Sequence, residues 1–115
     1  AAIALVEQRV AAGQPVAGWE IDAAARGVIT AAGYGDYFIH RTGHSIDTAI
    51  HGSGVNIDNL ETRDTRFLVP NIGFTVEPGI YLAGRMAVRS EIDVFIRKDG
   101  SVEVTGPEQE SLILV

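Results

Sequence analysis

The sequence predicts an α+β fold, two helices followed by an antiparallel-rich sheet. Two observations carry that expectation. Apolar residues recur at helical spacing up to Gly33, and beyond it short β-rich runs are punctuated by Gly, Pro, Asn and Asp. At 115 residues the chain is one domain or part of one, since single domains commonly run to roughly 100–200 residues.

The elements follow in order. Over residues 1–12, Ile3, Leu5, Val6 and Val10 stand among alanines, and Gly13 sits where a helix C′ residue belongs. After the turn GQPVAG, Gly18 is the expected N-cap of a second helix. Glu20 and Asp22 fall in its first turn, where carboxylates complement the helix dipole. Ile21, Ala24, Ala25, Val28 and Ala32 make its apolar face, which Gly33 ends. The runs YFIH, RFLVP, FTVEPGIYL, DVFIRK, SVEVTG and SLILV then read as strands. Asp99-Gly100 predicts a two-residue hairpin loop between the runs on either side of it. The polar segment NIDNLETRDTRF is expected to be an exposed loop. The chain opens already inside an apolar-periodic run and closes on SLILV, so its N-terminus reads as cut and its C-terminus as natural.

Composition excludes several function classes. A hydrophobic content of 46% is enough to build a core, and a net charge of −6 leaves no basic face for a nucleic-acid backbone. No run approaches the roughly 18 consecutive apolar residues of a membrane span. The absence of cysteine removes disulfides and thiolate metal sites and fits a cytoplasmic location.

All three histidines, His40, His44 and His51, lie in the single segment HRTGHSIDTAIHG. Its glycines and β-branched residues oppose a helix and favour extended chain. On a strand His40 and His44 share a face, and His51 joins them only through a bulge or bend. Clustered imidazoles are compatible with a metal site or with hydrogen-bonded rings in a polar cleft. Glu77 and Glu91 sit inside apolar, β-rich runs, where an ionised carboxylate is costly unless paired or metal-bound. Arg89, two residues before Glu91, shares its strand face and can pair with it. The two readings are compatible, because arginines also orient metal-binding carboxylates.

Together these motifs resemble the pita-bread metallopeptidases: Xaa-Pro aminopeptidases, prolidases and methionine aminopeptidases. HRTGHSIDTAIHG is similar to the proline-peptidase signature, TVEPGIYL to the family's Glu-Pro-Gly strand and VRSEIDVFI to its final Arg-x-Glu strand. The closing KDGSVEVTG and SLILV resemble its hairpin and terminal strand, and the likeness runs from about Trp19 to the end in matching order. The resemblance implies the C-terminal half of a pita-bread catalytic domain, with two divalent ions (Mn, Co or Zn) as cofactors and a peptide as substrate. It implies that His44, Glu77 and Glu91 bind metal, that Glu77 also acts as general base, and that His51 contacts substrate and stabilises the tetrahedral intermediate. His40 falls at the edge of the substrate pocket, and Arg89 supports the ligands. Two departures stand out. Asp47 and Thr48 replace a glycine and an aliphatic residue usual in the signature, and Gly52 stands where an acid is common. The family also draws two aspartate ligands from upstream strands, and neither Asp22 nor Asp36 matches them. A missing N-terminal half, or a second chain in a homo-oligomer, is therefore expected to complete the site.

Overall fold

The computed structural model describes residues 1–109 and residue 111. Helix α1 spans Ala2–Ala11 and α2 spans Gly18–Ala31. The strands are β1 Ser45–Ile46, β2 Ile72–Val76, β3 Gly79–Leu82, β4 Met86–Arg89, β5 Ile92–Ile96 and β6 Val102–Val104. One sheet has the order β1-β2-β5-β6, β3 and β4 form a second, and every pairing is antiparallel.

The core lies between the helices and one face of the larger sheet. Val6 of α1 and Ile21 and Ala25 of α2 join Ile72, Phe74 and Val76 of β2 and Val94 and Ile96 of β5. The period of two along β2 sends those three side chains to the helices and leaves Gly73 and Thr75 on the other face. Phe74 is fully buried, so its truncation to alanine is expected to cost about 3–5 kcal/mol. Val28 departs from the predicted apolar face by being exposed. Its stripe runs beside an open groove of about 410 Å³ walled by Ile3, Val76 and Pro78.

Several sequence expectations are corrected. The N-cap of α2 is Ala17, in extended geometry (φ −92°, ψ 155°), and Gly18 is already helical. Glu20 closes the turn by accepting the Ala17 N–H at 2.9 Å. YFIH is not a strand: a 3-10 turn spans Gly35–Tyr37, and Arg26 takes the Phe38 and His40 carbonyls, each at 2.8 Å, that a neighbouring strand would need. RFLVP makes only an isolated bridge, Phe67 to Ala17, because its backbone lies against the connection between the helices. The loop NIDNLETRDTRF is exposed only in part, since Ile57, Asp58 and Asp64 are buried. Asp58 folds it inward by accepting the N–H groups of Leu60, Glu61 and Thr62. The hairpin between β5 and β6 has a three-residue loop, 98–100. Arg97 still pairs with Ser101, and Gly100 takes the positive φ of 85° that closes a type I turn with a bulge. Of SLILV only Ser111 is described, so the expected terminal strand lies outside the described residues.

Candidate metal centre

Strands β2 and β3, and their partners β5 and β4, form one long ribbon interrupted at a single level. Val76 faces Ile92 and Gly79 faces Arg89, so both halves keep the same register. Continued through the gap, that register sets Glu77 across from Glu91 and Pro78 across from Ser90, and the Ser90 N–H donates to the Pro78 carbonyl at 3.3 Å. Pro78 has no N–H to give the ladder, which accounts for a break there. Like charges directly opposite on paired strands repel, so two facing glutamates call for a cation between them. Arg89 supplies one, its Nη1 lying 3.6 Å from Glu77 Oε2 and its Nη2 3.2 Å from Glu91 Oε2. Glu77 is largely removed from water, its side chain 13% exposed, whereas Glu91, at 47%, is not.

The histidine segment lies along the other edge of β2. Only Ser45 and Ile46 form strand β1, but residues 42–44 continue beside β2, the Glu77 N–H donating to the Thr42 carbonyl at 2.7 Å and the Thr75 N–H to the His44 carbonyl at 2.9 Å. Gly43 is dictated by this approach, since a Cβ there would lie 1.9 Å from the Thr75 carbonyl oxygen. His44 is buried, and its Nδ1 meets the Ser45 carbonyl at 3.0 Å. A carbonyl only accepts, so Nδ1 carries the proton and Nε2 faces Glu77 Oε1 at 3.3 Å.

His51 reaches the site by the bend the sequence reading required. Residues 47–54 fold back, and the His51 ring packs against His44, tilted by 40°, with centroids 4.2 Å apart. The two departures from the family pattern are complementary here. The Asp47 carboxylate accepts the Ala49 and Ser53 N–H groups, bonds that hold its pKa below the ordinary value, and it fills the space beside Gly52 where a side chain would stand. His40 has both ring nitrogens engaged, Nδ1 with the Arg41 carbonyl at 2.7 Å and Nε2 with the Tyr81 hydroxyl at 2.9 Å. Asp36 lies in the 3-10 turn.

Sequence reasoning missed the groups that hold this segment in place. Asp22 of α2 is fully buried and accepts from Arg26 Nε at 2.8 Å and from both the N–H and hydroxyl of Thr42, each at 2.8 Å. Arg26 in turn grips the Phe38 and His40 carbonyls, so this ion pair ties α2 to the chain entering the site. The i, i+4 spacing of Asp22 and Arg26 was the one available signal. Asp64 plays a similar part in the following loop. Burial opposes its ionisation, but the Arg66 side chain and the Asn56 and Arg66 N–H groups outweigh that and hold its pKa below the ordinary value.

The donor set fits part of a divalent-metal site. Two ligand atoms about 2.0–2.2 Å from one ion, at right-angled to tetrahedral geometry, stand about 3 Å apart, close to the His44–Glu77 separation of 3.3 Å. Imidazole and carboxylate, without thiolate, suit Mn, Co or Zn. Among the described residues no three His, Asp or Glu side chains are close enough to enclose an ion. The chain thus presents a direct pair, His44 and Glu77, and a third carboxylate, Glu91, joined to it through Arg89.

The sequence and the fold place the chain in a known class. Residues 1–98 match the family model of Metallopeptidase family M24, and the chain belongs to that family. It is 38% identical over 95 residues to the probable dipeptidase PepE of Mycobacterium tuberculosis, covering 83% of this chain and 24% of that protein. Among solved structures it is similar to a dipeptidase from Pyrococcus horikoshii OT3, with a TM-score of 0.74, 37% identity, and 87% of this chain and 27% of that one covered. An X-Pro aminopeptidase from Thermotoga maritima MSB8 gives a TM-score of 0.74 at 35% identity, covering 88% and 27%. The α+β pita-bread architecture is therefore the fold of this chain, which spans about a quarter of the length of the relatives it matches. No helix among the described residues is long and apolar enough to cross a membrane.

Proposed function

We propose that this chain is the C-terminal part of the catalytic domain of a dinuclear metal-dependent exopeptidase, cleaving next to an N-terminal residue that proline follows. The observation that carries the reading is Glu77 set opposite Glu91 at a shared strand break, with His44 Nε2 against Glu77. His44, Glu77 and Glu91 would hold the ions, with further carboxylates coming from outside this chain, from a preceding half-domain or a second copy. Two divalent ions, Mn, Co or Zn, held there would supply the positive charge that acidifies water and polarises the scissile carbonyl. Glu77 accepts the proton of the attacking water. His51, exposed and packed against His44, meets the substrate, and His40 with Tyr81 forms the pocket's edge. Arg89 orients both glutamates. The cysteine-free composition fits a cytoplasmic location.

The test uses the full-length protein, stripped of metal and reloaded with Mn, Co or Zn, on Xaa-Pro dipeptides and on matched peptides lacking proline. Metal-dependent cleavage favouring proline is expected, with metal content falling in His44→Ala. His51→Ala is expected to lower kcat/KM while metal content stays near the parent's, whereas loss of metal there makes it a ligand. No cleavage by the loaded protein overturns the peptidase reading. One observation favours a second reading, a metal-free binding module or non-peptidase: the Arg89 guanidinium already bridges both glutamates and offsets part of their charge. That reading requires the full-length protein to purify without metal and to take none up.

A further inference from the structure

We infer that Thr75 is a positioning residue for Glu77, its hydroxyl tying the carboxylate to the backbone of His44. The inference rests on the reading of His44 and Glu77 as partners in one site. Thr75 is 3% exposed and lies two residues before Glu77, on the same side of the ribbon. In a regular antiparallel pair the His44 N–H would donate to the Thr75 carbonyl, since the Thr75 N–H donates to the His44 carbonyl. It donates instead to Thr75 Oγ1, at 2.9 Å. That hydroxyl, having accepted, donates its one hydrogen to Glu77 Oε1 at 3.0 Å. The oxygen so held is the one 3.3 Å from His44 Nε2, which leaves Oε2 to Arg89. The relay gives the two carboxylate oxygens fixed and different surroundings. Without it, Arg89 is the charged donor left to Glu77 among the described residues, and it pulls the carboxylate away from the imidazole.

The test compares Thr75→Val, nearly the same shape without donor or acceptor, with Thr75→Ser, which keeps the hydroxyl, in the full-length protein. Crystal structures of the metal-free variants are expected to show the Glu77 carboxylate turned toward Arg89 and off His44 in T75V, and in its parental place in T75S. Calorimetric titration with Mn is expected to show affinity about 10–100-fold weaker in T75V and close to the parent in T75S. Should T75V fail to fold, Thr75→Ala removes the same hydroxyl from a smaller side chain and is read in the same way. An unmoved carboxylate and unchanged Mn affinity in the apolar variant overturn the proposal. If the parent itself binds no Mn, the peptidase reading fails, and the carboxylate position alone still decides the role of Thr75.

Discussion

Asp22 joins α2 to the start of the histidine segment through Arg26 and Thr42. It is buried and accepts from Arg26 and Thr42, so removing it takes the counter-charge from a partly buried guanidinium and the acceptor from the buried Thr42 hydroxyl and N–H. Asp22→Ala is therefore expected to cost about 3–5 kcal/mol in chemical denaturation, a loss that surface carboxylates of the same chain do not show. Asp64 yields a pH dependence. Its folded pKa lies below the unfolded carboxylate value of about 3.9, so its contribution is complete above that value and is lost as pH falls through the lower folded one. Stability of the parent is expected to drop steeply below about pH 4, and the Asp64→Asn variant is expected to give a flatter profile over the same window. Glu77 and His44 were legible because their residue types and motif spacing announce chemistry. Asp22, Asp58 and Asp64 were not, because what buries and satisfies a carboxylate is set by tertiary structure: Thr42 lies 20 residues from Asp22.

At the level of elements, periodicity located the two helices and the strands β2 and β5, since each buries one face against a shared core, whereas β4 is exposed along its length and was not among the expected strand runs. It failed at YFIH and RFLVP, where β-rich residues lie but the carbonyls and N–H groups are spent on Arg26 and on the helix connection. It also gave no sign that the Glu-Pro-Gly and Arg-x-Glu runs interrupt their ladders at one level, because register is a property of two segments read together. Gly43 tests the fit between the histidine segment and β2. Gly43→Ala drives a methyl into the Thr75 carbonyl, and the expected cost is about 3 kcal/mol, the upper end for overpacking. Hydrogen exchange is expected to locate the damage, with the Glu77 and Thr75 amides losing protection before those of β5 do.

For the molecule as a whole, the groove beside Val28 and the unpaired edge of β6 are surfaces with nothing packed on them among the described residues. The 115-residue chain alone, with Mn or Co added, is expected to show no turnover of Xaa-Pro peptides and to self-associate in sedimentation. Water reaching an incomplete centre raises the local dielectric and weakens the help given to developing charge. Robust metal-dependent cleavage by a monomer of this chain would show that its own residues complete the site. The shared register of the ribbon also decides which changes of length evolution or an engineer can make. Residues added at the turn 83–85 lengthen an arm that points past the glutamates and leave them facing each other. A single insertion within β4 shifts the count on one side only, and Glu91 then turns to the opposite face of the sheet. Relatives of this chain are thus expected to vary freely in the size of that arm while the number of residues from each glutamate to its own paired strand stays fixed.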